Sequence, residues 1–212
     1  MKKANFKFYN LLIIALIFGF ASDSNEVTND SSWKLKIVQE DVSIYTRKVD
    51  YSRINELKII TTVKCDIDSI INVLDDIETY TDWMYGFRSG KNVKIINPNQ
   101  KITYTVINFP DPLADRNMLS QTTIERDSLS GVVTFKSSSI ADESYRNDAM
   151  VLITKMNSSW VLTPQEDGNV QIESYLFCDP AGNIPFFFVN RLLYRSPLKT
   201  VLKLRSLLEE KG

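Results

Sequence analysis

Residues 182–208 set the problem that the rest of this chain must solve. Gly182-Asn183-Ile184-Pro185 opens a long amphipathic helix predicted over residues 186–208. Proline suits a first helical turn, where its missing N–H has no partner to lose. Phe186, Val189, Leu193, Pro197, Val201, Leu204 and Leu208 recur every three or four residues, so they share one face. Arg191, Arg195, Lys199, Lys203 and Glu210 fall away from that stripe, and Pro197 marks a place for a kink. Such a helix needs an apolar surface to lie on, which is either a solid core or the mouth of a cavity.

The other end of the chain reads as a targeting segment. Lys2, Lys3 and Lys7 form a basic region ahead of an apolar run at residues 11–20, too short to span a bilayer comfortably. Gly19-Phe20-Ala21 supplies small residues for cleavage. Residues 1–21 are therefore read as a signal peptide, with the mature protein in the periplasm or outside a bacterial cell. An uncleaved anchor is the alternative. Residues 22–31 read as a flexible polar leader, and residues 32–212 are one domain's worth of chain.

Composition narrows the chemistry. Loss of the three lysines takes the formal charge from −1 to −4, which argues against nucleic acid or a strongly anionic membrane as the main partner. There is no histidine, so triads with an imidazole base, histidine-ligated zinc and histidine-ligated haem are all excluded. Cys65 and Cys178 are too few for a zinc site. No metal or cofactor is expected, and oligomeric state is left open.

Between the two ends lies a run of strands. Residues 33–39 and 42–49 form a hairpin around Glu40-Asp41, and the β-branched stretch 54–64 follows. Asp66 then caps a helix in which Ile67, Ile70, Ile71, Leu74 and Ile77 hold helical spacing. An irregular segment follows Trp83. Further strands are read at 93–96, 100–108, 114–126, 131–140, 149–163 and 170–178, with a bulge at 157–159. Strands, one helix, more strands and a last long helix describe an α+β chain with segregated helices.

Five segments then fall in a recognisable order. They are Trp33-x-Leu35, Tyr80-x-Asp82-Trp83, Pro110-x-Pro112-x-x-Asp115-Arg116, Ser159-Trp160-x-Leu162-x-Pro164, and Gly182-x-Ile184-Pro185-x-x-x-Val189-Asn190, the last closing in Leu204-Arg205. In this order the chain resembles the START domains, the lipid-transfer domains related to the steroidogenic acute regulatory protein. The resemblance implies a helix-grip fold, a curved antiparallel sheet wrapped around the C-terminal helix with an apolar cavity inside. It implies a hydrophobic small molecule or lipid as ligand, a carrier or sensor role, and no catalysis. In two places the chain departs from the family. Arg116 is followed by Asn117 where the family has aspartate, and residues 100–108 carry no acid to pair with the arginine.

Within that frame the candidate ligand-binding residues are Arg116, Tyr104, Val106, Met118, Val189 and Leu193. Strand alternation puts Ala114, Arg116, Met118, Ser120, Thr122 and Ile124 on one face and the more polar Asp115, Asn117, Gln121, Thr123 and Glu125 on the other. Arg116 then faces inward. It needs a headgroup, a distant acid or backbone carbonyls, unless it sits solvated at the strand's end. Tyr104 shares a face with Ile102 and Val106, either as a polar handle in an apolar wall or as a core tyrosine bonded to backbone. Trp83 and Trp160 read as packing anchors. Phe186-Phe187-Phe188 either touch a membrane transiently or pack on the loop at Pro110 and Pro112. In the implied topology the strands ending near Cys65 and Cys178 run antiparallel, which holds the sulfurs far beyond the ~7 Å Cα limit for a bridge and leaves free thiols. Two other functions remain open: an aromatase/cyclase-like enzyme on the same fold, and an adaptor with a filled cavity.

Overall fold

The structure is a computed structural model and describes residues 32–210. The signal peptide and the leader lie outside the described residues. The first strands are β1 (Lys34–Gln39), β2 (Val42–Val49) and β3 (Ser52–Val63). Glu40 and Asp41 both take left-handed backbone angles, φ 49° and 59°, as a two-residue hairpin turn between right-twisting strands requires. Helix α1 (Ile67–Asp75) follows, a 3₁₀ turn at Ile77–Thr79 comes next, and then α2 (Tyr80–Trp83). Asp66 caps α1 as expected, its carboxylate accepting from the Ser69 N–H at 2.7 Å and the Ser69 hydroxyl at 2.6 Å. Burial of Ile70, Ile71, Val73 and Leu74 then fixes the helix to the sheet.

The remaining strands are β4 (Phe87–Asn97), β5 (Gln100–Ile107), β6 (Arg116–Arg126), β7 (Val133–Ser139), β8 (Val151–Ile153), β9 (Lys155–Pro164) and β10 (Val170–Asp179). They join β1–β3 in one curved sheet of order β1-β2-β3-β10-β9-β7-β6-β5-β4, antiparallel except where β8 pairs with the start of β6. Two strands differ most from the sequence reading. β4 begins at Phe87, in the segment read as irregular, because an edge strand exposed along most of its length needs no apolar alternation. Its Gly90 lets the 3₁₀ turn lie close, since a Cβ there would stand 2.7 Å from Ile77 Cδ1. The stretch 149–163 breaks at Thr154, not at 157–159, where Asn157, Ser158 and Ser159 pair in register with β7.

The C-terminal helix is two helices, α3 (Phe186–Leu192) and α4 (Arg195–Glu209), parted at Leu193-Tyr194. Pro197 explains the break. A helix running through would need an N–H at 197 for the Leu193 carbonyl, and the pyrrolidine ring clashes there instead. The chain therefore restarts with Pro197 in the first turn of α4, where it costs nothing. Leu198, Val201, Leu204 and Leu208 of α4 are buried, while α3 buries no residue. Leu204 and Leu208 pack into the core formed by α1, Trp83, Phe135 and Leu162. Leu198 and Val201 pack with Val42, Ile44, Leu57 and Ile59.

Candidate ligand-binding site

A cavity lies between α1–α2 and the inner face of the sheet. Its helical wall is apolar: Leu74, Ile77, Tyr80, Trp83 and Met84. Its sheet wall carries Lys101, Thr103, Thr105, Ser120, Thr122, Ser137 and Ser158 among Met118, Phe135, Met156 and Trp160. The cavity gives the centres of water-sized molecules about 130 Å³ of room. A more open cavity of about 390 Å³ adjoins it, shares Lys101 and Thr122, and opens past Asn97, Pro98 and Asn99.

Register orders the polar groups. Lys101 pairs with Thr122, Thr122 with Ser137, and Ser137 with Ser158, so these four side chains form one row across β5, β6, β7 and β9. Thr122 Oγ1 and Ser137 Oγ are 2.6 Å apart. Thr103 and Ser120 pair in the row beside it. One position further along β5, Thr105 Oγ1 is buried without a hydrogen-bond partner. Among the described residues, Lys101 is the one charged side chain in the lining of the enclosed cavity. Its Nζ donates to the Asp75 carboxylate at 2.5 Å and to the Asp75 carbonyl. Tyr80 donates its phenol to the Leu74 carbonyl at 2.8 Å, and burial, then Asp75 and Asp76, push its pKa far above the ordinary value. Trp83 and Trp160 meet edge to face at 6.2 Å and both line the cavity, so they pack and form wall at once.

Of the six residues singled out in the sequence, Met118 lines this cavity. Arg116 is buried at the start of β6, and among its candidate partners it takes the carbonyls. Its Nε donates to Pro180 O at 3.0 Å, Nη2 to Ala181 O at 3.4 Å and Nη1 to Ala114 O, and its guanidinium lies 4.1 Å from the Phe109 ring centroid. Tyr104 and Val106 sit on the opposite face of β5, and Lys101, Thr103, Thr105 and Ile107 face the cavity in their place. The apolar face of β5 is not the inner one because the far side of the sheet is also covered. The turn at Glu143–Tyr145 folds over it, and Asn117 Nδ2 donates to Tyr145 O at 2.6 Å and to Tyr104 Oη at 3.2 Å. Asn117, expected in water, is fully buried there. Val189 and Leu193 are half-buried outside the cavity lining. Asn190 docks α3, accepting from the Asn55 N–H at 2.9 Å and donating to the Arg53 carbonyl at 2.8 Å. Phe186, Phe187 and Phe188 are 43%, 56% and 48% exposed and pack on one another, edge to face and then tilted, rather than being buried on the Pro110 loop.

The polar wall was missed in the sequence. Its signal was present: threonine or serine at alternate positions, 103 and 105 on one strand and 120 and 122 on the next, with Thr103 opposite Ser120. Among the described residues no cluster of His, Cys, Asp or Glu could hold a metal ion.

A curved sheet gripping a C-terminal helix, with a cavity under its inner face, defines the helix-grip class. The family model described as START domain matches residues 24–211, and the chain belongs to that family. An uncharacterized protein of Pseudomonas aeruginosa is 25% identical over 202 residues, covering 94% of this chain and 96% of that one. The STAR-related lipid transfer protein of Xanthomonas axonopodis has the same fold, with a TM-score of 0.77 at 24% identity over 84% of this chain and 98% of that one. Human StAR-related lipid transfer protein 5 matches at 0.77 and 12% identity, over 86% and 89%. The Zhui aromatase/cyclase of a Streptomyces species matches at 0.51 and 11%, over 74% and 94%.

Proposed function

We propose that this protein holds one lipid or other hydrophobic molecule in the cavity under its sheet and serves as a carrier or sensor without catalysis. The two-sided lining carries this reading: an apolar helical wall to cover a hydrocarbon body and a hydroxyl-bearing sheet wall to orient it. Affinity would come from apolar burial, about 25 cal/mol per Å² before the costs of association. The names of the Xanthomonas and human structures, both lipid transfer proteins, agree with it. An aromatase/cyclase is the competing reading, on the fold of the Streptomyces protein. The acid–base groups of the lining favour holding over chemistry, since Lys101 is paired with Asp75 and Tyr80 is tied to a carbonyl.

About 130 Å³ is below the ~300 Å³ of ordinary small-molecule sites, so loading requires a wall to move. α3 is not a wall of this cavity, and because it buries no residue it stands free to meet a surface. Its exposed phenylalanines and Leu192, beside Arg191 and Arg195, suit transient contact with a membrane during exchange. Export belongs to the same proposal and rests on Lys2, Lys3, Lys7 and the apolar run at 11–20. The test is transfer of a fluorescent lipid between donor and acceptor vesicles. Acceleration proportional to protein concentration is expected. Transfer no faster than without protein, across neutral, anionic and sterol probes, would contradict the carrier role.

A further inference from the structure

The structure assigns to Lys101 the anionic end of the ligand, a carboxylate or phosphate, held at the end of the cavity remote from α3. This inference rests on the cavity being the ligand site. β5 sets the two ends: Ile107 pairs with Arg116, which is bonded to the turn leading into α3, while Lys101 lies six residues away, ~20 Å along an extended strand. At Lys101 the cavity under the helices meets the more open one, whose lining includes Asp75, Asp76, Asn92, Asn97, Asn99 and Gln100, so the ammonium stands where the enclosed space gives way to an open, polar one.

The ion pair it makes now is unequal. The Lys101 side chain is 14% exposed and the Asp75 side chain 42%. Asp75 can turn into water at little cost, but Lys101 cannot, so an entering anion can replace the carboxylate and keep the ammonium paired. Asp76 lines the same open cavity, and its Oδ1 accepts from the Glu78 N–H at 3.0 Å, which ties that carboxylate to its own turn. From Lys101 the row Thr122, Ser137 and Ser158 crosses the sheet and offers hydroxyls to the polar edge of the same molecule. Thr105 Oγ1, 93% of its residue buried and unpartnered in the same wall, is a further group that a bound molecule would satisfy. The ligand class is therefore an anionic amphiphile with hydrogen-bonding groups along one side.

Dodecanoate, dodecyl phosphate and dodecanol separate the possibilities, with the fluorescence of Trp83 and Trp160 in the cavity wall reporting binding. One or both anions should bind at least about tenfold more tightly than the alcohol, and the preferred anion identifies the headgroup. Lys101→Met should abolish the preference. Asp75→Asn, which keeps the lysine and removes its competitor, should tighten anion binding severalfold. Equal binding of all three probes to the wild type, a preference that survives Lys101→Met, or anion affinity unchanged or weakened by Asp75→Asn would each overturn the assignment alone. Failure of all three probes to bind would overturn the ligand-site reading with it.

Discussion

Arg116 Nε donates to the carbonyl oxygen of Pro180 at 3.0 Å, joining the first residue of β6 to the turn that leads into α3. The guanidinium also serves the carbonyls of Ala114 and Ala181, and it is packed on Phe109. Burial draws its pKa below the ordinary arginine value, and Asp115 beside it pushes the other way. Arg116→Met keeps much of the volume and leaves these carbonyls without a donor. A loss of about 3 kcal/mol is expected from urea unfolding, with the m-value unchanged. Arg116→Lys should recover only part of it, because an ammonium cannot fork to separate carbonyls in one plane.

Asp115 ties the same region from the other side. Its Oδ1 accepts from the Phe109 N–H at 3.0 Å and its Oδ2 from Arg88 at 2.5 Å, which hold the carboxyl below the usual carboxylate range, the backbone bond first. A group depressed in the folded state stabilises above its unfolded pKa, ~3.9 for aspartate, and loses that contribution as pH falls through the folded value. Stability should therefore decline below about pH 4, and Asp115→Asn should make the decline shallower. An identical pH slope in both proteins would contradict this.

The two parts of the C-terminal helix should respond differently to mutation. Leu204 is fully buried, and Leu204→Ala should cost about 2–5 kcal/mol. Replacing Phe187 and Phe188 with serine should leave stability within about 0.5 kcal/mol. The same double variant should co-sediment several-fold less with anionic vesicles than the wild type does.

Thr105 offers a trade between stability and binding. Its buried hydroxyl has no hydrogen-bond partner within the protein, which costs free energy unless a ligand supplies one. Thr105→Val should raise the thermal stability of the ligand-free protein by about 1 kcal/mol and weaken binding of the co-purifying ligand.

Cys65 and Cys178 are both free, and β3 and β10 run antiparallel from Val170 opposite Val63 to Leu176 opposite Leu57, which separates the two thiols along the strands. Burial raises the pKa of Cys65 to about 11 and of Cys178 to about 12. Ellman's reagent at pH 8 should react slowly with the folded protein and count two thiols after denaturation.

The sequence pattern was legible where a single buried face decides it. Val201, Leu204 and Leu208 repeat at helical spacing because one side of α4 fills the core. It misled where a strand is covered on both faces. Ile102, Tyr104 and Val106 look like an inner wall, but the turn at Glu143–Tyr145 covers Tyr104 and Asn117 on the outer side, and Thr103 and Thr105 face the cavity. Pro197 signalled an interruption, but its effect falls on the carbonyl one turn upstream, so the break appears at Leu193-Tyr194. Lys101 carried no local signal, because its partner Asp75 comes from the end of a helix 26 residues earlier.

Native mass spectrometry of the purified protein tests the ligand cavity most directly, with a variant that fills the space as its control. Ser120→Phe places a ring against the cavity wall while β6 keeps its pairing. The account predicts one additional mass per chain in the wild type, extractable as an amphiphile, and none in a folded Ser120→Phe protein. A wild type with no bound mass, or the same mass retained by the filled variant, would contradict it.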